Sequence, residues 1–302
     1  MQRLLLAAAM LVTVVACAGE EAPPYWSVEA TTDDQIFDML RQARGIEACA
    51  LVPRTELAEL GMPGPDRLRR TEGCATTLTT ADGPGSFDLT VVAGTFDGAW
   101  GVVPDTSEST TIGGATLTTI EDRDSRRDRS IPEGERWCRV DVKYPASVGY
   151  TALLHLPAGS DPCPAAERLA EAAMGKWIEQ PQHGTTAGLP RSVLTGADPC
   201  AVPVALGASI AANEQQLGAC AFRLDGVHTA ILFDYLPESS FDGPLDERGR
   251  YDLPDGPALM KGRLGPGFTV DEDNRPLVPT VAVGGDTPTS HRVMNAVLDH
   301  YR

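Results

Sequence analysis

Hydrophobic and polar positions along this chain follow two different periods, and the switches between them outline its elements. A repeat of four sets Leu169, Ala173 and Trp177 after Pro164, and Val293, Val297 and Tyr301 after Pro288. Both stripes predict amphipathic helices with an inward apolar face and a proline in the first turn. Asp33 to Arg44 reads as another helix, and Thr55 to Leu60 as a short one that Gly61 closes in the left-handed conformation. A repeat of two sets Cys138, Val140, Val142 and Tyr144 on one strand face and Arg139, Asp141 and Lys143 on the other. Tyr150 to Leu156 follows after a Pro-Ala-Ser-Val-Gly turn, which makes a hairpin. Phe268 to Val270, the turn Asp271 to Arg275, and Leu277 to Val283 read as a second hairpin.

Part of this pattern occurs twice. Cys49-Ala50-Leu51-Val52-Pro53 and Cys200-Ala201-Val202-Pro203 each lead into a short helical segment. A second cysteine then opens a strand, with Cys74, Thr76 and Leu78 sharing a face in one copy and Cys220, Phe222 and Leu224 in the other. Apolar strands follow, Phe87 to Ala93 and Val227 to Leu236, and each copy ends in one of the amphipathic helices. The expectation is a tandem repeat of two similar α+β domains, each a mostly antiparallel sheet packed with helices. The first spans 33–180, a Gly/Thr/Pro-rich linker 181–197, and the second 198–302. The first copy is longer, and the Arg/Asp-rich stretch Glu121 to Arg136 is read as its exposed insert. Helix 164–179 precedes Cys200 as helix 33–44 precedes Cys49, so periodicity leaves open which domain owns it.

The amino terminus changes the picture by adding an address. Arg3 precedes a short apolar run, Leu4 to Val15, too short to span a bilayer as a permanent helix, so residues 1–16 read as a signal peptide. The chain has seven cysteines, and with Cys17 set apart six remain: Cys49, Cys74, Cys138, Cys163, Cys200 and Cys220. Export makes disulfides the default, and sequence order pairs them consecutively, one of 15 possible connectivities. Loops of this size are each worth about 3.5 kcal/mol in the chain-entropy account. Residues 17–32 read as a tether, which extended would reach up to ~50 Å.

Two features carry a resemblance. Val14-Val15-Ala16-Cys17 resembles a bacterial lipobox. Together with Asp198-Pro199-Cys200 at the start of a short helix and a second cysteine at 220, it is similar to the actinobacterial envelope lipoproteins of the DUF3558 family. The match is better over 198–302 than over the first copy, where Glu47-Ala48 stands in place of Asp-Pro. The resemblance implies that the Cys17 sulfur carries diacylglycerol, that a palmitate-type acyl chain anchors the protein, and that the domain lies on the extracytoplasmic face of the cell membrane. It implies no activity.

Charge narrows the partners. With 25 Lys and Arg against 42 Asp and Glu, the formal charge is −17, which repels phosphate backbones and excludes a nucleic-acid partner. Catalytic signatures are sparse. The five histidines, His155, His183, His228, His291 and His300, form no His-x-His or His-x-x-x-His pair, so no metal or other cofactor is expected. Gly83-Pro84-Gly85-Ser86 reads as a turn before the strand at Phe87 rather than a nucleophile elbow. Gly113-Gly114 and Gly284-Gly285 read as turn glycines, and Asp271-Glu272-Asp273-Asn274 as a solvated hairpin tip rather than a calcium loop. Trp100, Trp137 and Trp177 read as core more readily than as pocket lining. The expected function is a lipid-anchored, non-catalytic module for a small-molecule or protein ligand. A cell-wall hydrolase built on scattered carboxylates and a structural accessory of an envelope or secretion assembly are the alternatives.

Overall fold

The computed structural model describes residues 24–94, 100–101, 103–104, 107–122, 135–241, 250–252, 259–270 and 276–301. Cys17, the insert residues 123–134 and the acidic tip 271–274 lie outside the described residues. The segment expected as a tether is docked from Pro24 onward. A 3-10 turn at Tyr25–Ser27 packs Tyr25 and Trp26 on the first core, and the Ala146 N–H donates to the Trp26 carbonyl at 3.2 Å.

Helix α1, Asp33–Arg44, starts in a capping box: Thr32 accepts from the Gln35 amide, and the Gln35 side chain accepts from the Thr32 amide. Asp33 and Asp34 sit at its positive end, Arg41 and Arg44 at its negative one. Ile36, Met39, Leu40 and Ala43 form the buried stripe. Cys49 lies inside a single turn, α2 (Ala48–Leu51), and α3 (Arg54–Leu60) follows Pro53. Gly61 is not left-handed. Its φ of 166° is extended, and glycine is needed there because a Cβ would stand 2.6 Å from the Thr79 carbonyl.

Seven antiparallel strands build the first sheet: β1 (Met62–Arg70), β2 (Gly73–Thr80), β3 (Gly83–Ala93), β4 (Glu108–Ile112), β5 (Ala115–Glu121), β6 (Glu135–Lys143) and β7 (Val148–Pro157). They lie side by side as β1-β2-β3-β7-β6-β5-β4. Gly83 to Ser86 is strand rather than turn, because Gly85 lets β3 pass within 2.7 Å of the His155 carbonyl measured from a hypothetical Cβ. Helix α4 (Cys163–Glu179) packs on β6 and β7, which assigns it to the first core. Trp177 stacks on Tyr144 at 5.6 Å, and the Tyr150 hydroxyl donates to the Ala170 carbonyl at 2.6 Å. Asp141 lies on the face opposite Val140 and Val142, as the alternation places it, yet it is buried. It is 4% exposed, on the sheet face opposite the helices, where Arg139 (3.1 Å) and Thr151 (2.9 Å) hold it.

The second unit opens with α5 (Ala201–Ala205), then β8 (Ala219–Leu224), β9 (Val227–Pro237), β10 (Arg250–Asp252), β11 (Leu259–Arg263), β12 (Thr269–Val270), β13 (Pro276–Gly284) and α6 (Thr287–His300). Its sheet runs β10-β11-β13-β9-β8, with β12 also paired to β13. Val293, Met294, Val297 and Leu298 of α6 bury against Ile231, Phe233, Val281 and Val283. All three cysteine pairs are disulfides: Cys49–Cys74, Cys138–Cys163 and Cys200–Cys220.

Candidate functional site

Amphipathic α1 buries one face and leaves Asp34, Asp38 and Arg41 on the other, with Phe37 half-buried between them. The second unit brings an opposing wall. Asp198 accepts from the Cys200 amide at 2.9 Å and starts α5, which buries Val202 and Pro203 and leaves Val204 exposed. Ala208 and Ile210 continue the wall. The Cys200–Cys220 disulfide and fully buried Gln215 hold it in place. The Gln215 amide donates to the Ala211 and Ala221 carbonyls at 2.7 and 2.8 Å and accepts from the Ala221 amide at 3.2 Å. Between the two walls runs an open groove of about 770 Å³.

Arg44 forms the floor of the groove. Its side chain is only 8% exposed and reaches from α1 to Asp198 at 3.1 Å, to the Leu217 carbonyl at 2.9 Å and to the Gln216 carbonyl at 3.2 Å. Burial lowers its pKa from the usual arginine value, and the Asp198 carboxylate opposes that. Its own carbonyl accepts from His183 Nε2–H at 2.7 Å. Beside it, buried Glu47 accepts the amides of Gly184, Thr185 (2.8 Å) and Thr186 (3.0 Å). The connector 181–197 contains no helix or strand, yet these bonds fasten it to the end of α1, so it is a strap rather than a free linker.

Behind the groove, Glu72 of the β1–β2 turn seats against Gly218 and Phe233 of the second unit. Burial pushes the carboxyls of Glu72 and of nearby Asp234 upward, and the Asp234 charge adds to the rise at Glu72. The cavity at Glu72 holds about 20 Å³, room for one water and not for a sugar ring. Asp141 is likewise pushed up by burial. All three shifts have the same sign, so none of these acids forms an opposed acid–base pair with another.

The outer face of the first sheet holds one further juxtaposition. Ser86 stands directly opposite His155 in the β3–β7 register, and Glu135 Oε2 is 3.9 Å from His155 Nδ1. Ser86 and His155 share no hydrogen bond. On the second sheet, the face away from α6 carries Ala230, Leu232, Leu236 and Ala282 around a shallow depression of about 270 Å³.

The structure scatters the other candidate residues. His155 lies on β7, His228 on β9, His183 in the connector, and His291 and His300 on α6. Among the described residues no group of three or more His, Cys, Asp or Glu is placed to hold a metal. Trp177 is core, whereas Trp100 lies over the opposite sheet face beside Lys143, at 5.7 Å, and Gly149. No described helix is long and apolar enough to cross a membrane. Arg44 and Glu47 carry no local signal of their roles, apart from a cation closing a helix, because their partners are remote in sequence. No family model, curated protein or solved structure matches this chain.

Proposed function

We propose that this protein is a lipid-anchored extracytoplasmic lipoprotein whose two tandem units bind a polypeptide segment in the groove between α1 and α5. The location rests on the signal-peptide pattern, the lipobox-like residues ending at Cys17 and the similarity to DUF3558 lipoproteins. A Cys17→Ala variant that takes up a palmitate analogue as well as the wild type would sink it. The reading of the repeat as a duplication is supported by the shared strand order and by a closing helix on each sheet.

The single observation that carries the binding role is the groove itself. It is broad and open, it mixes apolar Phe37, Val204 and Ile210 with carboxylates, and both walls are tied to Arg44. Sites for small molecules enclose most of their ligand in apolar walls, and this one does not. Among the described residues Asp34 is the rim acid without an ion pair, since Asp38 pairs with Arg41 at 2.6 Å and Asp198 with Arg44 at 3.1 Å. The remaining negative charge favours a segment with a basic residue and an apolar anchor. A photo-crosslinker replacing Val204 should capture protein in native envelopes, and Ile210→Arg in the same chain should abolish the adduct. Equal capture from Val193, exposed on the connector outside the groove, would refute the role.

A hydrolase is the second reading, favoured by the Ser86, His155 and Glu135 placement. It predicts labelling by a fluorophosphonate that Ser86→Ala removes; without such labelling it fails.

A further inference from the structure

We infer that the anchored protein stands on the bilayer by one end of its first sheet, the end formed by the β6–β7 turn. This rests on the reading of Cys17 as the lipidated residue, and it adds which surface the lipid faces.

The argument begins with reach. The chain joins the fold at Trp26, whose carbonyl accepts from Ala146 in the β6–β7 turn, and Gly94, just past β3, donates to Ser147 of the same turn at 3.1 Å. Residues 18–25 separate Cys17 from this point, and nine Cα-to-Cα steps span at most ~32 Å. The first sheet is as long as that: β3 from Gly83 to Ala93 covers about 33 Å. Standing on the far end, where Met62 pairs with Thr79 and Thr80 with Gly83, would need the whole tether stretched out along the sheet, whereas the near end needs none of that extension.

Surface chemistry at the near end agrees. Ile178 is 67% exposed and follows Trp177, which stacks on Tyr144 at the start of the β6–β7 turn. Val28, 51% exposed, lies two residues past Trp26. Ile112, 37% exposed, opens the Gly113-Gly114 turn beside Ala115, next to the end of β6. These apolar side chains lie at the sheet end where the tether leaves, and exposed Lys143 ends β6 there on the opposite sheet face, its ammonium 5.7 Å from the Trp100 ring. Scattered apolar groups with a cation suit the headgroup region of a bilayer, where aliphatic tips enter and the ammonium meets phosphate.

The test uses the full lipidated chain in vesicles of phosphatidylglycerol and phosphatidylethanolamine, with benzoylphenylalanine introduced at Ile178, Ile112 or, as the control, Met62, which is 71% exposed at the far end. Irradiation should give lipid adducts, detected by mass, from Ile178 and Ile112 and none above background from Met62. Equal adducts from all three sites, or none from Ile178 and Ile112, would overturn the orientation, as would protein adducts replacing lipid ones at those two sites in native envelopes. The anchoring reading fails separately, if the intact mass shows Cys17 without diacylglycerol. In that case the Cys17 thiol, outside the three disulfides, is coupled to a maleimide lipid, and the same crosslinks still decide the orientation.

Discussion

Arg44 and Asp198 meet at 3.1 Å across the junction of the two units, the arginine almost fully buried and the aspartate half exposed. The asymmetry identifies Arg44 as the residue that matters. Removing it leaves the Leu217 and Gln216 carbonyls without donors, whereas removing Asp198 leaves a guanidinium that still has both carbonyls. Arg44→Ala should cost about 2–3 kcal/mol, while Asp198→Ala should cost about 1 kcal/mol, mostly the lost bond to the Cys200 amide, since half-exposed pairs contribute little. Arg44→Lys should rescue only partly, because one ammonium lacks the fork that serves three acceptors. Urea unfolding measures all three; equal losses for Arg44→Ala and Asp198→Ala would refute the ranking.

Glu47 fastens the strap. Glu47→Gln keeps the shape but loses the charge that draws three successive amides, at a cost of about 1–3 kcal/mol. Hydrogen exchange should speed up at Gly184, Thr185 and Thr186 before any change is seen in β7. Unchanged protection at those amides would remove Glu47 from this role.

Acidity should stabilise this protein over a range where many others weaken. Burial raises the carboxyls of Glu72, Asp141 and Asp234, so the folded chain binds these protons more tightly than the unfolded one. Stability from these groups therefore falls as pH rises through their folded values, and it levels off below the unfolded carboxylate range of about 4. The urea midpoint should be higher at pH 5 than at pH 8. Asp141→Asn should flatten part of that slope, which separates the effect from general repulsion in a chain of charge −17. A midpoint that climbs toward pH 8 contradicts the assignment.

Gly149 permits the β6–β7 pairing. A Cβ there would lie 1.8 Å from the Val142 carbonyl and 3.2 Å from the Trp100 ring. Gly149→Ala should destabilise by about 2–3 kcal/mol, because the obstacle is backbone and cannot turn aside. Gly114→Ala, with nothing within 4 Å but a φ of 82°, should cost less, about 1 kcal/mol. Thermal melts of the two variants give the comparison, and a Gly149→Ala chain as stable as wild type would refute the clash.

Elements with a strong period were readable. Helices α1, α4 and α6 and the β6–β7 hairpin lie within a few residues of where spacing puts them. Strands β1 and β4 were not. β1 carries Pro63, Pro65 and Asp66, which resemble a turn, but it is an edge strand and needs no ladder bond from its prolines. β4 is the opposite edge and wholly exposed, so no apolar alternation marks it. Asp225-Gly226, both with positive φ, was a usable turn signal between β8 and β9. The groove had no such signal, since its walls come from residues 34–44 and 198–210.

Local chemistry thus dictated the antiparallel α+β character and the inward stripe of each helix, because periodicity and turn propensity act between near neighbours. The alternation also assigned strand faces, though not that the face carrying Asp141 would be buried. The fastening of the two units was settled elsewhere. Arg44 finds Leu217, 173 positions away, and Glu47 finds Thr186, 139 positions away. Buried donors and acceptors must be satisfied wherever the folded chain brings them, and that requirement leaves no periodic trace along the chain.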